Sequence, residues 1–244
     1  MTMLLASVRS LDEALTALDG GADLIDLKEP ARGALGALDH AAVRVSVRAI
    51  AARRPVSATI GDLPAMHPRT MVAAVERMAA TGVDYIKIGF FAHRRAGACA
   101  AALAQTARRA RLVAVLFADE SYDLNLLDAL AAAGFAGAML DTAGKAGGSL
   151  RHLRNALELR QFVDRARVSG LLSGLAGSLQ EADIAPLLQL SVDYLGFRGA
   201  LCAGHDRSQR LDKPALHRIR SLIPAHRANS AAQAPQRPPA SSAA

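Results

Sequence analysis

A short unit recurs along this chain, in which a helix-forming stretch ends at a glycine or serine and a run of β-forming residues follows at once. Three copies are nearly alike, at residues 21–26 (GADLID), 82–87 (GVDYIK) and 191–196 (SVDYLG). Further β-rich runs lie between them, each followed by a helical pattern. Together they predict eight strands, near residues 3–7, 22–28, 55–60, 83–89, 112–118, 135–141, 167–173 and 192–198.

Eight strand–helix units in about 224 residues indicate one α/β domain folded as a (β/α)₈ TIM barrel. The alternative is a doubly wound open sheet, which would lack the matching eighth unit. The chain has 244 residues and is 51% hydrophobic, enough for one large core without an interior composition break. Residues 1–224 are therefore the expected catalytic domain. Residues 225–244 are rich in Ala, Ser, Pro and Gln and form an expected disordered tail.

The formal net charge of +7 suggests an anionic partner, but other features argue against nucleic acid. Aromatic residues make up only 4% of the chain, and the arginines are scattered as short pairs near predicted helix ends. A basic surface would also attract small anionic metabolites. We expect a small-molecule substrate, no nucleic acid and no membrane partner, and we expect a homo-oligomer by analogy with other barrel enzymes.

Location is predicted from the N-terminus and the cysteines. The first residues carry neither a basic region nor an apolar stretch of spanning length. Two cysteines without metal-ligand spacing fit a reducing compartment. We therefore expect a cytoplasmic protein. No motif or spacing in the sequence indicates a metal or an organic cofactor.

Lysine is rare here, and its positions indicate chemistry. Of 29 lysine and arginine residues only four are lysine, and Lys28, Lys87 and Lys145 lie at or just past the ends of predicted buried strands. A primary amine can lose its proton and react, which a guanidinium cannot do in a protein. Lys213, between Asp212 and Pro214 at a predicted helix start, has the features of an ordinary surface charge.

Two aspartates are expected beside these amines. Asp26 and Lys28 are two residues apart and share the inward face of strand two. Aligning the units on their glycines places Lys87 of strand four level with Asp26, and Asp141 of strand six level with Lys28. Alternate strands of a barrel contribute to the same interior layers, so these groups should converge, with Lys145 reaching back over them.

Such a cluster can lower the pKa of one amine while another keeps its proton, which is what imine chemistry requires. The alternative is structural, with Asp26 paired to Lys28 and Asp141 to Lys145.

Glycine-rich loops after strands seven and eight predict a phosphate site. Barrels commonly bind phosphate at these two loops, through exposed backbone N–H groups and the start of a following helix. A capping box of Ser178 with Glu181 is compatible with that role. The predicted phosphate-binding residues are Gly174, Gly177, Ser178, Gly196, Arg198 and Gly199, with Arg198 as a bidentate clamp.

Taken together, the segments at 20–30, 33–36, 85–89, 141–145 and 196–202 resemble the (5-formylfuran-3-yl)methyl phosphate synthases, which make the furan precursor of methanofuran. The resemblance spans nearly all of residues 3–222. It implies condensation of two glyceraldehyde 3-phosphate molecules with loss of phosphate and water. It further implies that Lys28 forms the Schiff base, that Lys87 accepts and donates protons, and that Asp26, Asp141 and Lys145 support them. Spacing alone leaves open which of Lys28 and Lys87 carries the imine.

Two other functions stay open from the residues alone. One is another Schiff-base aldolase acting on a sugar phosphate. The other is a non-catalytic anion or nucleic-acid binder, which would have no use for three interior amines.

Overall fold

The computed structural model of the protein describes residues 1–144 and 148–224. Within them, eight parallel strands close into a barrel in sequence order, each pairing with the next and the last with the first. The strands are β1 Met3–Val8, β2 Leu24–Leu27, β3 Val56–Thr59, β4 Tyr85–Phe90, β5 Arg111–Phe117, β6 Gly137–Asp141, β7 Leu172–Leu175 and β8 Tyr194–Phe197.

Helices surround this barrel. They are α1 Leu11–Asp19, α2 His40–Ile50, α3 Pro68–Ala79, α4 Ala96–Ala107, α5 Leu126–Ala132, α6 Leu150–Leu153, α7 Ala156–Val168, α8 Glu181–Leu188 and α9 Lys213–Leu222. Short 3₁₀ turns follow β2 at Pro30–Arg32 and β8 at Gly199–Leu201 and Ala203–His205.

The predicted (β/α)₈ barrel is confirmed, and the open-sheet alternative is wrong. β1 pairs with β8 in register, with Leu4 opposite Leu195, so the sheet has no free edge. The predicted seventh strand at 167–173 was placed too early. The helical pattern of α7 continues through Val168, and Gly170, with φ of +73°, separates that helix from β7.

Side chains alternate between two apolar regions. Along β2, Ile25 and Leu27 point outward and pack under the helices, whereas Leu24 and Asp26 point into the barrel. Apolar and aromatic residues fill the rest of the interior, including Leu5, Leu24, Val113, Val115, Phe117, Met139 and Tyr194.

The repeated unit has a structural role at the opposite end of the barrel. Its aspartate, at positions 23, 84 and 193, precedes a strand and accepts a hydrogen bond from a backbone N–H of the preceding strand. The acceptor distances are 2.8 Å from Leu4, 2.8 Å from Val56 and 2.7 Å from Ser173. These aspartates therefore join neighbouring strands below the apolar layer, far from the mouth.

In the part of the chain that is described, no helix is both long and apolar enough to cross a bilayer. The predicted role of Lys145 and the predicted tail at 225–244 concern residues outside the described ranges.

Candidate active site

Four charged side chains meet inside the barrel mouth. Lys87 Nζ lies 3.0 Å from Asp26 Oδ2, and Lys28 Nζ lies 3.7 Å from Asp141 Oδ2. The predicted convergence of strands two, four and six is therefore present. The pairing joins different strands, β2 with β4 and β2 with β6, whereas the structural alternative expected Asp26 to pair with Lys28.

Asp26 is the buried centre of this arrangement. Its carboxylate accepts hydrogen bonds from Ser57 Oγ at 2.6 Å and Ser7 Oγ at 2.9 Å, in addition to Lys87. Burial acts to raise the pKa of Asp26. The positive charges of Lys87 and Lys28 and the hydrogen bond from Ser57 oppose that effect, and together they hold the pKa below its usual value. Asp26 is therefore a fixed carboxylate.

Lys28 is held differently. Burial lowers the pKa of its amine, and the charges of Lys87 and Arg207 lower it further, while Asp141 and Asp26 act to raise it. The net effect is a pKa below the ordinary lysine value, which increases the fraction of neutral amine. A neutral amine is the form that attacks a carbonyl carbon.

Asp141 is positioned from its own strand end. Its Oδ1 accepts a hydrogen bond of 2.8 Å from the N–H of Thr142, and its backbone carbonyl accepts another from Ala118 at the end of β5. The other carboxylate oxygen faces Lys28. Strand pairing and a local turn thus hold Asp141 in place in addition to its ion pair with Lys28.

A cavity of about 120 Å³ opens beside the reactive groups. Lys28, Lys87 and Asp141 line one part of it. Five of the six predicted phosphate-binding residues also line it, namely Gly177, Ser178, Gly196, Arg198 and Gly199. The amines and the glycine-rich rim therefore share one cavity.

Gly174 is not at this rim. It lies within β7, and a Cβ at this position would come within 2.2 Å of the Tyr194 ring. Its lack of a side chain makes room for that ring in the barrel interior, a packing role where phosphate binding was predicted. The misplaced start of the seventh strand explains the difference, because it put Gly174 in a loop.

The helix after β7 also begins differently from the prediction. Its capping box is formed by Gln180 and Asp183, with the Gln180 N–H donating to Asp183 at 2.9 Å, so the expected Ser178–Glu181 box is wrong. Ser178 is exposed and adopts a positive φ of +50°. Ser178 does not cap the helix, and it lines the cavity.

Arg198 is buried and bound to protein, where the prediction required an open clamp. Its guanidinium pairs with Glu13 on α1, through Nη1 at 2.5 Å and Nη2 at 3.3 Å. The remaining donors bind the carbonyls of Ser7, Arg207 and Gln209. All five N–H groups are used, which does not support a phosphate clamp by this guanidinium.

Sequence reasoning missed three polar residues of the site. Ser7 and Ser57 are the hydroxyls that orient Asp26, and Arg207 lines the cavity from the loop after β8. The serines could have been found from period-two alternation, since each occupies an inward position of its strand. Arg207 had no comparable signal, because it lies in a loop outside any repeat.

This arrangement can support imine chemistry. It combines a buried amine with a lowered pKa, a second amine bound to a fixed carboxylate, and a rim of backbone and hydroxyl groups suited to an anion. Within the described ranges, no group of three or more His, Cys, Asp or Glu residues is placed to hold a metal ion.

Comparisons with known proteins identify the family to which the chain belongs. Residues 4–220 match the family model described as 4-HFC-P synthase. The (5-formylfuran-3-yl)methyl phosphate synthase of Methanopyrus kandleri is 36% identical over 91% of this chain and 98% of its own length. A Methylorubrum extorquens protein, provisionally given the same name, is 49% identical over 95% of this chain and 94% of its own.

Solved structures support the fold alone. A 3-hexulose-6-phosphate synthase superposes with a TM-score of 0.62 at 15% identity, covering 91% of this chain and all of its own. A phosphoribosyl anthranilate isomerase from Thermus thermophilus gives 0.64 at 14% identity, covering 91% of this chain and 98% of its own. The family match over nearly the whole barrel is the decisive one, and the chain belongs to the 4-HFC-P synthase family of enzymes.

Proposed function

We propose that this enzyme condenses two molecules of glyceraldehyde 3-phosphate into (5-formylfuran-3-yl)methyl phosphate, for methanofuran-type cofactor biosynthesis, through a Schiff base on Lys28. Family membership supports the product. The observation that carries the mechanism is the position of Lys28, whose amine has a lowered pKa and lines the same cavity as Lys87, Asp141 and the glycine-rich rim.

Imine formation and loss of phosphate come first. The Lys28 amine attacks the aldehyde carbon of one triose phosphate, and water leaves to give an iminium. The iminium acidifies the neighbouring C2–H, and its removal gives an enamine that expels phosphate from C3. Lys87, hydrogen-bonded to Asp26, is the candidate proton carrier: its ammonium protonates the departing water, and the neutral amine that remains accepts the C2 proton.

Carbon–carbon bond formation follows. Phosphate loss leaves an enol whose C3 is nucleophilic. The branched skeleton of the product requires bonding at C2 of the second triose. That triose is therefore first isomerised to its ketone form, as a proton moves from C2 to C1 and another from the C2 oxygen to the C1 oxygen. Closure through a hydroxyl oxygen and loss of two water molecules then forms the furan, and hydrolysis frees Lys28. Two trioses thus give one furan phosphate, one phosphate and two waters.

The overall reaction is tested with purified enzyme and glyceraldehyde 3-phosphate as the sole substrate. We expect a furan aldehyde chromophore and one free phosphate per furan formed. An aldol product without phosphate release would overturn the proposal in favour of an aldolase.

Borohydride reduction with the same substrate, followed by peptide mass mapping, tests the nucleophile. We expect a triose-derived adduct on the peptide that contains Lys28. An adduct on the Lys87 peptide instead would exchange the two proposed roles, and the absence of any adduct in an active preparation would reject the imine.

A further inference from the structure

We infer that Arg207 binds the phosphate group of the substrate, and that Arg198 is a positioning residue that holds Arg207 in place. This inference rests on the proposed function for the identity of the phosphate ester. Its physical content is a charged phosphate subsite on the side of the cavity formed by the loop after β8.

The position of Arg207 favours ligand binding. The side chain is half-buried and lines the cavity together with Lys28, Ser178 and Gly199. The charge of Arg207 lowers the pKa of Lys28. Burial lowers the pKa of Arg207 and the charge of Asp141 acts to raise it, in agreement with the cavity that these three residues line together. A phosphate bound there would lie beside a triose held on Lys28.

The hydrogen bonds of Arg207 leave two of its three guanidinium nitrogens available. Its Nη2 donates to the carbonyls of Pro30, at 2.5 Å, and Gly33, at 3.1 Å, in the loop after β2. Among residues 1–144 and 148–224, no acceptor meets its Nε or Nη1. Nε carries one N–H group and Nη1 two, and each can donate a single charge-assisted hydrogen bond to a phosphate oxygen.

Arg198 explains how an exposed loop can hold this group still. Its Nε donates to the Arg207 carbonyl at 2.9 Å and its Nη2 to the Gln209 carbonyl at 2.8 Å, while Glu13 holds its other end. The loop that carries Arg207 is therefore tied to α1. A fixed loop lowers the entropy cost of ordering Arg207 around a ligand.

Inorganic phosphate is the direct probe, measured by calorimetric titration with the full-length protein. Arg207→Gln should weaken phosphate binding by roughly 10- to 100-fold, the range for losing charge-assisted hydrogen bonds. The phosphate affinity of Arg207→Lys should lie between those of the parent and Arg207→Gln, because lysine keeps the charge but not the planar guanidinium. Arg210→Gln, at an exposed arginine of the same loop, is the matched control and should bind as the parent does.

Borohydride trapping on Lys28 separates binding from folding. Arg207→Gln should need a higher concentration of glyceraldehyde 3-phosphate for half-maximal adduct, whereas trapping with unphosphorylated glyceraldehyde should be unchanged. Added guanidinium should partly restore the response to the phosphorylated substrate. Glu13→Gln should also weaken trapping of the phosphorylated aldehyde and leave trapping of glyceraldehyde unchanged. The effect should be smaller, because Glu13 acts through Arg198.

Unchanged phosphate affinity in folded Arg207→Gln would overturn the inference, as would equal losses for both aldehydes. The calorimetric measurement needs no turnover. Phosphate binding that depends on Arg207 in a protein that forms no furan would therefore reject the proposed function and retain this subsite.

Discussion

The two lysine–aspartate pairs of the mouth use the same residue types in different ways. The Lys87–Asp26 pair is closed, with a 3.0 Å contact and side chains that are 2% and 0% exposed. The Lys28–Asp141 pair is looser at 3.7 Å, with 11% and 6% exposure, and it faces the cavity. Depth and packing thus give two chemically identical amines different surroundings.

The difference lies mainly in the carboxylates. Asp26 accepts from two serine hydroxyls as well as from Lys87, so its pair is part of a hydrogen-bonded network. Asp141 accepts one backbone N–H and lies beyond hydrogen-bond distance of Lys28. A network fixes a proton carrier, whereas a single distant carboxylate leaves an amine able to react.

The largest expected effect comes from Lys28. Lys28→Arg keeps the positive charge but removes the nucleophile, so furan formation should fall by roughly 10³-fold or more and the borohydride adduct should disappear. Lys87→Arg should also slow furan formation but keep the adduct. Lys213→Arg, at the exposed start of α9, should match the parent in both assays. If Lys87→Arg lost the adduct and Lys28→Arg kept it, the two lysines would exchange their proposed roles.

Removing the charge of Asp26 comes next. Asp26→Asn leaves Lys87 buried without its counter-ion, which should cost about 3–5 kcal/mol of unfolding free energy. The rate should also fall, by roughly 10²-fold or more, because the proton carrier loses its partner. Chemical denaturation and steady-state rates measure the two effects. A variant as stable as the parent would show that Asp26 does not stabilise the buried charge of Lys87.

Ser57→Ala should act on the same network with a smaller effect, about 1.5–3 kcal/mol for a hydrogen bond to a charged group. Because the pKa of Asp26 is lowered in the folded protein, its ionisation stabilises the fold above the unfolded pKa, and that stability is lost as pH falls through the folded value. Ser57→Ala should move this loss to higher pH in unfolding measurements. An unchanged pH dependence would contradict the role of the serine.

The smallest expected effect is at Asp141. Its charge acts to raise the pKa of Lys28, so Asp141→Asn should lower that pKa further and move the acidic limb of the adduct-formation rate to lower pH. Rates of borohydride trapping across pH measure the limb. Glu181→Gln, in a pair with Arg218 on the outer helices, is the control. A shift of the acidic limb to higher pH would show that a group other than Asp141 sets the pKa of Lys28.

Sequence periodicity was enough for the barrel and for most of the mouth. The alternation within β2 and the repeated unit placed Asp26, Lys28, Lys87 and Asp141 on one inward face, because both periods follow from backbone geometry. The same alignment placed Lys87 level with Asp26 and Asp141 level with Lys28, and these are the ion pairs that the structure shows. The structural alternative, Asp26 paired with Lys28, needed coordinates to be decided, because spacing along one strand is compatible with both pairings.

Loops were less predictable for a physical reason. Arg198 and Arg207 both follow β8, and sequence indicated the first as a free clamp. The buried Glu13 of α1 pairs with the guanidinium of Arg198. The two residues are 185 positions apart, so no local sequence pattern indicates their contact. The same limit applies to the start of α8, where the capping residue is Gln180 and Ser178 was expected.

The groups around Lys28 come from several strands, so the reactivity of its amine depends on completed folding. In an unfolded chain Lys28 would have the ordinary lysine pKa of about 10.4, so fewer than about one amine in a thousand would be uncharged at pH 7. Its neighbours Asp141, Lys87 and Arg207 come from three separate stretches of chain and surround it only after the cylinder has closed. A nascent polypeptide would therefore be nearly inert toward cellular aldehydes, and covalent capture of a small aldehyde at this residue would report completed folding.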